Sequence, residues 1–242
     1  MRPVTILIIQ NRMYIKLMTK SKFQAILFDL DGTLVDSSRD ISKSINLALN
    51  NFGYEPITQK QSNSFVGDGI LMLVKRALGK SIYGDQQHVV DADLLAKADK
   101  VYRDFYSRHL LDTTIPYPGV ANTLDRLSDL ALAVISNKAA VYVKEIMHHF
   151  QLDKYFRIIL GGDSLDLKKP DPYPLLYVAQ QFNIAPRQCL MVGDSEKDII
   201  AGKAAGMNTC AVTYGMRSEK SLKEHQPDFI LSDFASITTI IR

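Results

Sequence analysis

The feature that most constrains the fold is an uncharged apolar run that stops at two carboxylates. Residues 25–28 are all apolar, and Asp29 and Asp31 follow at once. A run of this kind is typical of a strand that is buried on both faces of a parallel sheet. Because side chains at positions i and i+2 of a strand point to the same side, both carboxylates are expected to face one space. A divalent cation is the usual way to compensate such charges.

The composition is that of an ordinary globular protein. Of the 242 residues, 46% are apolar and 23% are charged, so we expect one large domain or a core with an inserted module. The net charge of +3 is spread along the chain, which suits a small anionic substrate and does not favour nucleic acid as a partner. Cys189 and Cys210 lie in apolar contexts, which predicts reduced core cysteines in a cytoplasmic protein.

Residues 1–20 are predicted to be a dispensable N-terminal extension. Their apolar segment, residues 4–9, is too short to span a membrane, and no small-residue cleavage site follows it. We therefore expect neither a membrane anchor nor a signal peptide. Three alternatives stay open: an extra strand, a disordered tail, or an upstream start codon with Met18 as the working start.

Residues 37–114 are predicted to form a helical cap that is inserted after the first strand. Apolar residues recur there at helical spacing in three stretches, which are residues 41–52, 70–78 and 94–105. Gly53 and Gly79 are placed to end the first two of these helices. The sequence shows no convincing strand in this region.

Residues 21–36 and 115–242 are predicted to form an α/β catalytic core. Helical patterns alternate there with strand patterns, and the predicted strands after the first are residues 131–135, 157–160, 189–192, 209–213 and 229–231. The first helix of this half is expected at residues 119–130. Such alternation predicts a doubly wound, Rossmann-like parallel sheet with right-handed crossovers.

The polar clusters of interest follow predicted strands. After Asp29 and Asp31 come residues 136–138, then Lys168 and Lys169, then Asp194. Ligands of an open parallel sheet bind in the crevice outside the carboxyl ends of the strands, so we expect these clusters to converge. The sequence contains neither a dinucleotide-binding glycine fingerprint nor a P-loop, and it has no zinc motif and no serine-nucleophile motif.

The chemistry of these clusters points to phosphoryl transfer. The carboxylates are a hard-oxygen set that suits Mg²⁺, and they are Asp29, Asp31, Asp194 and Asp198. The remaining groups, a hydroxyl, backbone amides and a lysine, suit phosphate oxygens. One carboxylate can attack phosphorus to form an aspartyl-phosphate. A second can protonate the leaving alcohol and then deprotonate the hydrolytic water.

Four motifs, in this chain order, resemble those of the haloacid dehalogenase-like hydrolase superfamily. They are residues 29–34, residues 136–137, residues 169–170 and residues 193–198, and the resemblance runs from about residue 23 to the C-terminus. It implies that Asp29 is the nucleophile, that Asp31 is the general acid/base, and that Lys169 neutralises the phosphate and Asp29.

The resemblance also implies a phosphate site and a metal site. The phosphate-binding residues would be Thr33, Ser136, Asn137 and Lys138. The Mg²⁺ ligands would be Asp29, the backbone carbonyl of Asp31 and Asp194, with Asp198 in support.

A finer resemblance, to the phosphoglycolate phosphatase group, concerns the cap. Residues 65–70 look like the substrate loop of that group, which implies that Gly67 and Gly69 bind substrate. The expected reaction is hydrolysis of 2-phosphoglycolate to glycolate and phosphate. Asp68 departs from the pattern, since asparagine is expected there and an anionic residue fits poorly beside an anionic substrate.

Each of these residues also has a plainer interpretation. Asp29 and Asp31 could cap a helix, residues 136–137 could be an ordinary turn, and Asp198 could simply favour the N-terminus of the following helix. Lys138 could be a solvated loop residue. Lys168 competes with Lys169, which we prefer because it directly precedes proline. Gly67 and Gly69 could only separate two helices.

Three other functions compete with a small-metabolite phosphatase. A phosphosugar mutase on the same scaffold would re-donate the phosphoryl group of its aspartyl-phosphate. Carbon–halogen hydrolysis fits less well, because it needs neither Mg²⁺ nor an acid at Asp31. A catalytically silent binding protein would not need both carboxylates. The expected partner is a small phosphorylated metabolite, with the chain a monomer or a homodimer and no membrane contact.

Overall fold

The computed structural model describes residues 21–241, so the predicted extension at residues 1–20 lies outside the described residues. The first half of the chain carries one core strand, a pair of two-residue strands and four helices between that pair. In chain order these are β1 (Ala25–Phe28), β2 (Val35–Asp36), α1 (Ser38–Asn51), α2 (Gln59–Phe65), α3 (Ile70–Tyr83), α4 (Ala92–His109) and β3 (Ile115–Pro116).

The second half alternates helices and strands, as the sequence predicts. Its elements are α5 (Val120–Arg126), β4 (Ala131–Ile135), α6 (Ala140–His149), β5 (Ile158–Leu160), α7 (Tyr173–Phe182), β6 (Cys189–Gly193), α8 (Glu196–Ala204), β7 (Asn208–Val212), α9 (Glu219–Glu224), β8 (Phe229–Leu231) and α10 (Ile237–Ile240). The helix expected at residues 119–130 ends early, at Arg126, and a turn leads from there into β4.

Six strands form one parallel sheet in the order β5-β4-β1-β6-β7-β8. The chain winds outward from β1 through β4 to β5, and then crosses back to β6 on the other side of β1. The strand order therefore reverses between β1 and β6, which is where an open α/β sheet forms its ligand crevice. This confirms the predicted doubly wound fold.

The central strand β1 explains why its sequence carries no charge. Ile26 and Phe28 pack into the hydrophobic core on one face of the sheet, while Ala25 and Leu27 pack into the core on the other. All four side chains are fully buried. Burial on both faces removes every position at which a polar side chain could reach water, as the uncharged run predicts.

Helices α1 to α4 lie between β2 and β3, which form an antiparallel pair that the sequence analysis did not predict. Asp40 of α1 connects the start of the helical region to the segment that precedes β3. Its fully buried carboxylate accepts hydrogen bonds from the backbone amides of Thr113 and Thr114 and from both of their hydroxyls. The segment that enters the helical region and the segment that leaves it are thus held side by side. This arrangement fixes the position of helices α1 to α4 relative to the sheet.

The prediction that Gly79 ends a helix is wrong. Helix α3 continues past it to Tyr83, and Gly84 ends the helix in a left-handed conformation. Gly79 serves packing instead, because a Cβ atom there would lie 2.7 Å from the carbonyl oxygen of Asp85. Only glycine lets the following loop return so closely along the helix.

Within residues 21–241, no helix is long and apolar enough to cross a membrane. Cys189 and Cys210 are both free and buried, which confirms the prediction that they do not form a disulfide.

Candidate active site

The clusters predicted from the sequence meet in one cavity at the carboxyl end of the sheet. The cavity has a volume of about 60 Å³ and lies between the ends of the core strands and helices α1, α3 and α4. Asp29 and Asp31 both line it, as their strand spacing predicts.

Asp29 ends β1 and is held by Lys169. The Lys169 Nζ atom lies 3.2 Å from Asp29 Oδ1 and 2.6 Å from Asp198 Oδ1. Burial alone would lower the pKa of Lys169, but the charges of Asp198 and Asp29 outweigh it and raise that pKa above its ordinary value. This lysine is therefore a fixed positive charge between two carboxylates. Its neighbour Lys168 is not part of this group, since its Nζ donates to the carbonyl oxygen of Asp68.

Three carboxylates converge beside this lysine. One oxygen atom from each of Asp29, Asp194 and Asp198 lies within 4.8 Å of the others. The three carboxylates carry more negative charge than the single ammonium group of Lys169 can neutralise. Burial raises the pKa of Asp29 to about 6, with the charges of Asp198 and Asp31 adding to it against Lys169. Burial and the neighbouring Asp29 and Asp198 also raise the pKa of Asp194.

The donor set of this cluster fits a hard divalent cation. All three side chains offer carboxylate oxygens. The raised pKa values of Asp29 and Asp194 are those expected where the folded protein alone does not compensate the negative charge. Of the three carboxylates, Asp198 has both oxygens engaged in hydrogen bonds. Its Oδ1 accepts from Lys169, and its Oδ2 accepts from the amide and hydroxyl of Ser195 at the start of α8.

Asp194 is positioned from two sides. The backbone amide of Met216 donates to its Oδ2 at 2.6 Å. On the other side, Gly32 has φ of +79°, and a Cβ atom there would lie 2.1 Å from the same oxygen. Glycine after Asp31 therefore serves both the tight turn and the close approach of the Asp194 carboxylate to the backbone.

Asp31 has a different environment from Asp29. Lys138 Nζ donates to both of its carboxylate oxygens, at 2.8 and 3.0 Å, and the hydroxyl of Ser37 donates to Oδ1. Lys138 is buried, so the alternative of a solvated loop lysine does not hold. Each of the two carboxylates thus has its own lysine, and the side chain of Asp31 is not part of the three-carboxylate cluster.

The residues after β4 connect the core to the helices above it. Ser136 is buried and lines the cavity, and its Oγ accepts from the backbone amide of Lys138. The Asn137 side chain donates to the carbonyl oxygens of Gly67 and Lys169, at 2.7 Å each. Its backbone amide is not used by these bonds. Asn137 therefore joins the loop before α3 to the loop that carries Lys169.

The remaining predicted site residues lie around the same space. Gly67 and Gly69 line the cavity. Thr33 is fully buried, its carbonyl oxygen accepts from the hydroxyl of Tyr214, and its own hydroxyl has no hydrogen-bond partner in the described part of the chain. Thr33 is not among the residues that line the cavity.

Asp68 does not bring an uncompensated charge to the cavity. Its carboxylate lies 2.6 Å from Arg76 Nη1 and 3.2 Å from Lys197 Nζ. Two cations therefore neutralise the residue that the sequence analysis found unfavourable. One comes from α3 and one from α8, so the pair also joins the helical region to the core.

Sequence reasoning missed several residues of the cavity. Arg217 donates to the carbonyl oxygens of Asn63 and Val66 at 2.6 Å each and, like Lys197, lines the cavity. Its position offered a signal, since it follows the carboxyl end of β7. Tyr102 and Tyr106 of α4 also line the cavity. Tyr102 lies in the stretch that was predicted as a helix from the spacing of its apolar residues. That spacing does not show whether a tyrosine on the apolar face lines a cavity.

Comparison with known proteins agrees with this geometry. Residues 26–212 match the family model described as haloacid dehalogenase-like hydrolase. A protein named phosphoglycolate phosphatase from Psychrobacter arcticus is 36% identical over 216 residues, covering 88% of this chain and 94% of its own. A protein of the same name from Neisseria meningitidis is 40% identical over 219 residues, covering 88% of this chain and 92% of its own.

A solved structure shows the same fold. It comes from Haemophilus somnus, is described as a predicted phosphoglycolate phosphatase, and superposes with a TM-score of 0.85 at 34% identity. The match covers 90% of this chain and 98% of that one. The family match runs from β1 to β7 and includes the helices α1, α3 and α4 that enclose the cavity. The chain belongs to the haloacid dehalogenase-like hydrolase family and is a phosphatase of that family.

Proposed function

We propose that this phosphatase is a Mg²⁺-dependent phosphomonoester hydrolase that acts through an aspartyl-phosphate on Asp29, with 2-phosphoglycolate as its substrate. The observation that carries the chemistry is the pair of carboxylates in one cavity, each with its own lysine. Lys169 holds Asp29, and Lys138 holds Asp31. Separate partners allow the two carboxylates to perform separate tasks.

In the first step, Asp29 attacks the phosphorus atom and the bond from phosphorus to the leaving oxygen breaks. Asp31 gives a proton to that oxygen, so that the product leaves as an alcohol. Lys169 neutralises charge on Asp29 and on the phosphoryl oxygens. Ser136 and the backbone amide of Asn137 bind those oxygens.

In the second step, Asp31 takes a proton from a water molecule, and the resulting hydroxide attacks phosphorus. The bond between phosphorus and Asp29 then breaks, which releases phosphate and restores the carboxylate. Asp31 is again protonated for the next turnover, so the protons balance over the cycle. Lys138 orients the ionised Asp31 for the second step, because it donates to both carboxylate oxygens.

Asp29, Asp194 and the backbone carbonyl of Asp31 would hold Mg²⁺, with Asp198 in support. When bound, the ion supplies positive charge to the phosphoryl oxygens, where negative charge develops in the transition state. The supporting role of Asp198 agrees with its hydrogen bonds to Lys169 and Ser195, which occupy both of its oxygens.

Two observations support a small, doubly anionic substrate. The cavity of about 60 Å³ favours a compact molecule. Besides Lys169, three further cations line the cavity, and a second anionic group of the substrate would lie among them. They are Lys138, which pairs with Asp31, Lys197, which pairs with Asp68 and Glu196, and Arg217, which pairs with Glu196. The names of the relatives point to the same compound, since both the Psychrobacter and the Neisseria proteins are named phosphoglycolate phosphatase.

We also place the activity in the cytoplasm. Cys189 and Cys210 are free and buried, and burial raises the pKa of the Cys189 thiol to about 11 and that of Cys210 to about 12. Such thiols are unreactive structural residues, of the kind expected in a reducing compartment.

A substrate comparison tests this function. With Mg²⁺ present, kcat/KM for 2-phosphoglycolate is expected to exceed that for hexose phosphates, nucleotides and pyrophosphate by about tenfold or more, a difference of about 1.4 kcal/mol in transition-state binding. The measurement is phosphate release across this panel. Equal rates for all substrates would contradict the assignment of 2-phosphoglycolate. Conversion of a hexose 1-phosphate to its 6-phosphate with little free phosphate would identify a mutase instead.

The effect of Mg²⁺ on stability is expected to depend on pH. The pKa of Asp29 is about 6 in the folded protein against an ordinary value of 3.8, so the folded state binds more protons between these values. The metal-free protein therefore loses stability as the pH rises through that window. Because Mg²⁺ compensates the ionised carboxylates, it should raise Tm more at about pH 7.5 than at about pH 5.

Thermal unfolding with Mg²⁺ and with a chelator, at both pH values, measures this difference. The variant Asp194→Asn should abolish the Mg²⁺-dependent rise in Tm. The matched control is Asp163→Asn, which changes a carboxylate that caps α6 through the amide of Ala140 and should keep the rise. An equal rise in Tm at both pH values would contradict the assigned metal site.

A further inference from the structure

Helix α4 places a tyrosine with an unpartnered hydroxyl in the wall of the cavity. Tyr106 is 1% exposed and lines the cavity, and its hydroxyl has no hydrogen-bond partner among residues 21–241. Burial, followed by the charges of Asp31 and Asp40, raises the pKa of this tyrosine well above its ordinary value. The side chain is therefore a neutral donor, and a buried donor is costly unless a group in the cavity accepts its hydrogen bond.

Tyr106 stands close to Asp31, with Lys138 in contact with both. Lys138 Nζ is 4.9 Å from the centre of the Tyr106 ring and 2.8 Å from Asp31 Oδ1. Asp31 has to reach the leaving oxygen to protonate it. The rest of the leaving group has to occupy the remaining space of the cavity, whose wall near Lys138 includes Tyr106.

The ring of Tyr106 is held in a fixed place. It stacks on Tyr102 with the centres 5.4 Å apart, and it meets Tyr142 edge-on with the centres 5.1 Å apart. The other helical side chains that line the cavity are largely apolar, including Ile41, Ile70 and Leu73. A fixed donor in apolar surroundings can distinguish a substrate that accepts a hydrogen bond from one that does not.

We propose that Tyr106 is a specificity-determining residue, whose hydroxyl donates a hydrogen bond to an anionic oxygen of the leaving group. For 2-phosphoglycolate this oxygen belongs to the carboxylate. The inference rests on the proposed function and deepens it, because it assigns the second anionic group of the substrate to a named donor. The nearby Lys138 ammonium, which already pairs with Asp31, adds positive charge on the same side.

The test compares Tyr106→Phe with the unchanged protein on two substrates. Ethyl phosphate is the matched substrate, since it carries a methyl group where 2-phosphoglycolate carries its carboxylate. Tyr106→Phe is expected to lower kcat/KM for 2-phosphoglycolate by about 10- to 100-fold, the usual loss for a hydrogen bond to a charged group. The value for ethyl phosphate should change by less than about twofold, because the ring and its packing remain.

Tyr142→Phe is the control variant. The Tyr142 hydroxyl donates to the carbonyl oxygen of Arg103 and does not line the cavity, so both substrates should be affected by less than about twofold. Tyr106→Phe should not lower Tm, since it removes a hydroxyl without a partner. A purely structural tyrosine would instead lower activity on both substrates together.

The outcomes separate this inference from the proposed function. If the unchanged protein hydrolyses 2-phosphoglycolate and Tyr106→Phe alters both substrates equally, or neither, the role of Tyr106 is overturned and the proposed function stands. If the unchanged protein does not hydrolyse 2-phosphoglycolate, the proposed function is overturned and the role of Tyr106 with it. A loss confined to 2-phosphoglycolate supports both.

Discussion

Replacement of Asp29 by asparagine is expected to lower kcat for phosphoester hydrolysis by about 10⁴-fold or more, because a neutral amide cannot attack phosphorus. Substrate binding should suffer much less, since Ser136, Asn137 and Lys169 all remain. The measurement is steady-state phosphate release from 2-phosphoglycolate with Mg²⁺. An Asp29→Asn variant that keeps the activity of the unchanged protein would remove Asp29 from the reaction.

Loss of folding does not explain this result, because the same variant should be at least as stable as the unchanged protein when Mg²⁺ is absent. Burial raises the pKa of Asp29 to about 6 from its ordinary value of 3.8. At neutral pH, ionised Asp29 therefore lowers the stability of the folded state relative to the unfolded state. Asparagine removes that penalty. Lys169 keeps a carboxylate partner, since its Nζ also lies 2.6 Å from Asp198. Thermal unfolding in the presence of a chelator checks this expectation.

Replacement of Asp31 by asparagine should affect the two steps differently. For an alkyl phosphate the variant loses the acid that protonates the leaving oxygen, and kcat should fall by about 10²- to 10⁴-fold. For an aryl phosphate the leaving group needs little protonation, so the first step should largely survive. The second step still lacks its base. Rapid-quench kinetics should therefore show one fast turnover followed by a slow steady rate.

Asp36→Asn is the matched control for this variant. Asp36 is an aspartate five residues after Asp31, at the end of β2, but its carboxylate accepts from the amide and hydroxyl of Ser38 at the start of α1 and does not line the cavity. It should retain activity within about twofold. Asp31→Asn should also keep the Mg²⁺-dependent rise in Tm, because the Asp31 side chain is not part of the three-carboxylate cluster. Equal losses in the rate of the first turnover with alkyl and aryl phosphates would contradict an acid role for Asp31.

The features that the sequence predicts best are those with a regular pattern. The uncharged run at residues 25–28 identified β1 because burial on both faces excludes charge. The alternation of helix and strand then identified the sheet. By contrast, β2 and β3 have two residues each, which is too short for any periodicity to show. Gly79 was assigned to a helix end because propensity cannot show that a later loop packs against it.

The positions of the site residues could be predicted from the pattern of strands in the sequence, but the contacts between them could not. Strand ends predicted that residues after β1, β4 and β6 would meet, and all three groups line the cavity. Only the structure shows that Lys138 pairs with Asp31 and that Arg76 and Lys197 compensate Asp68. The pairs Lys138–Asp31 and Lys197–Asp68 join residues far apart in the chain. Neither sequence spacing nor hydropathy shows which charged side chains will face each other.

The most direct test of the central claim is to trap the phosphoenzyme. Asp31→Asn protein is mixed with an aryl phosphate and Mg²⁺, quenched in acid within the first turnover, and digested for peptide mass spectrometry. The account predicts about one phosphoryl group per chain on the peptide that contains Asp29, and none when Asp29 is also replaced by asparagine. A phosphoryl group on any other residue, or a fast first turnover that leaves no phosphorylated peptide, would contradict the account.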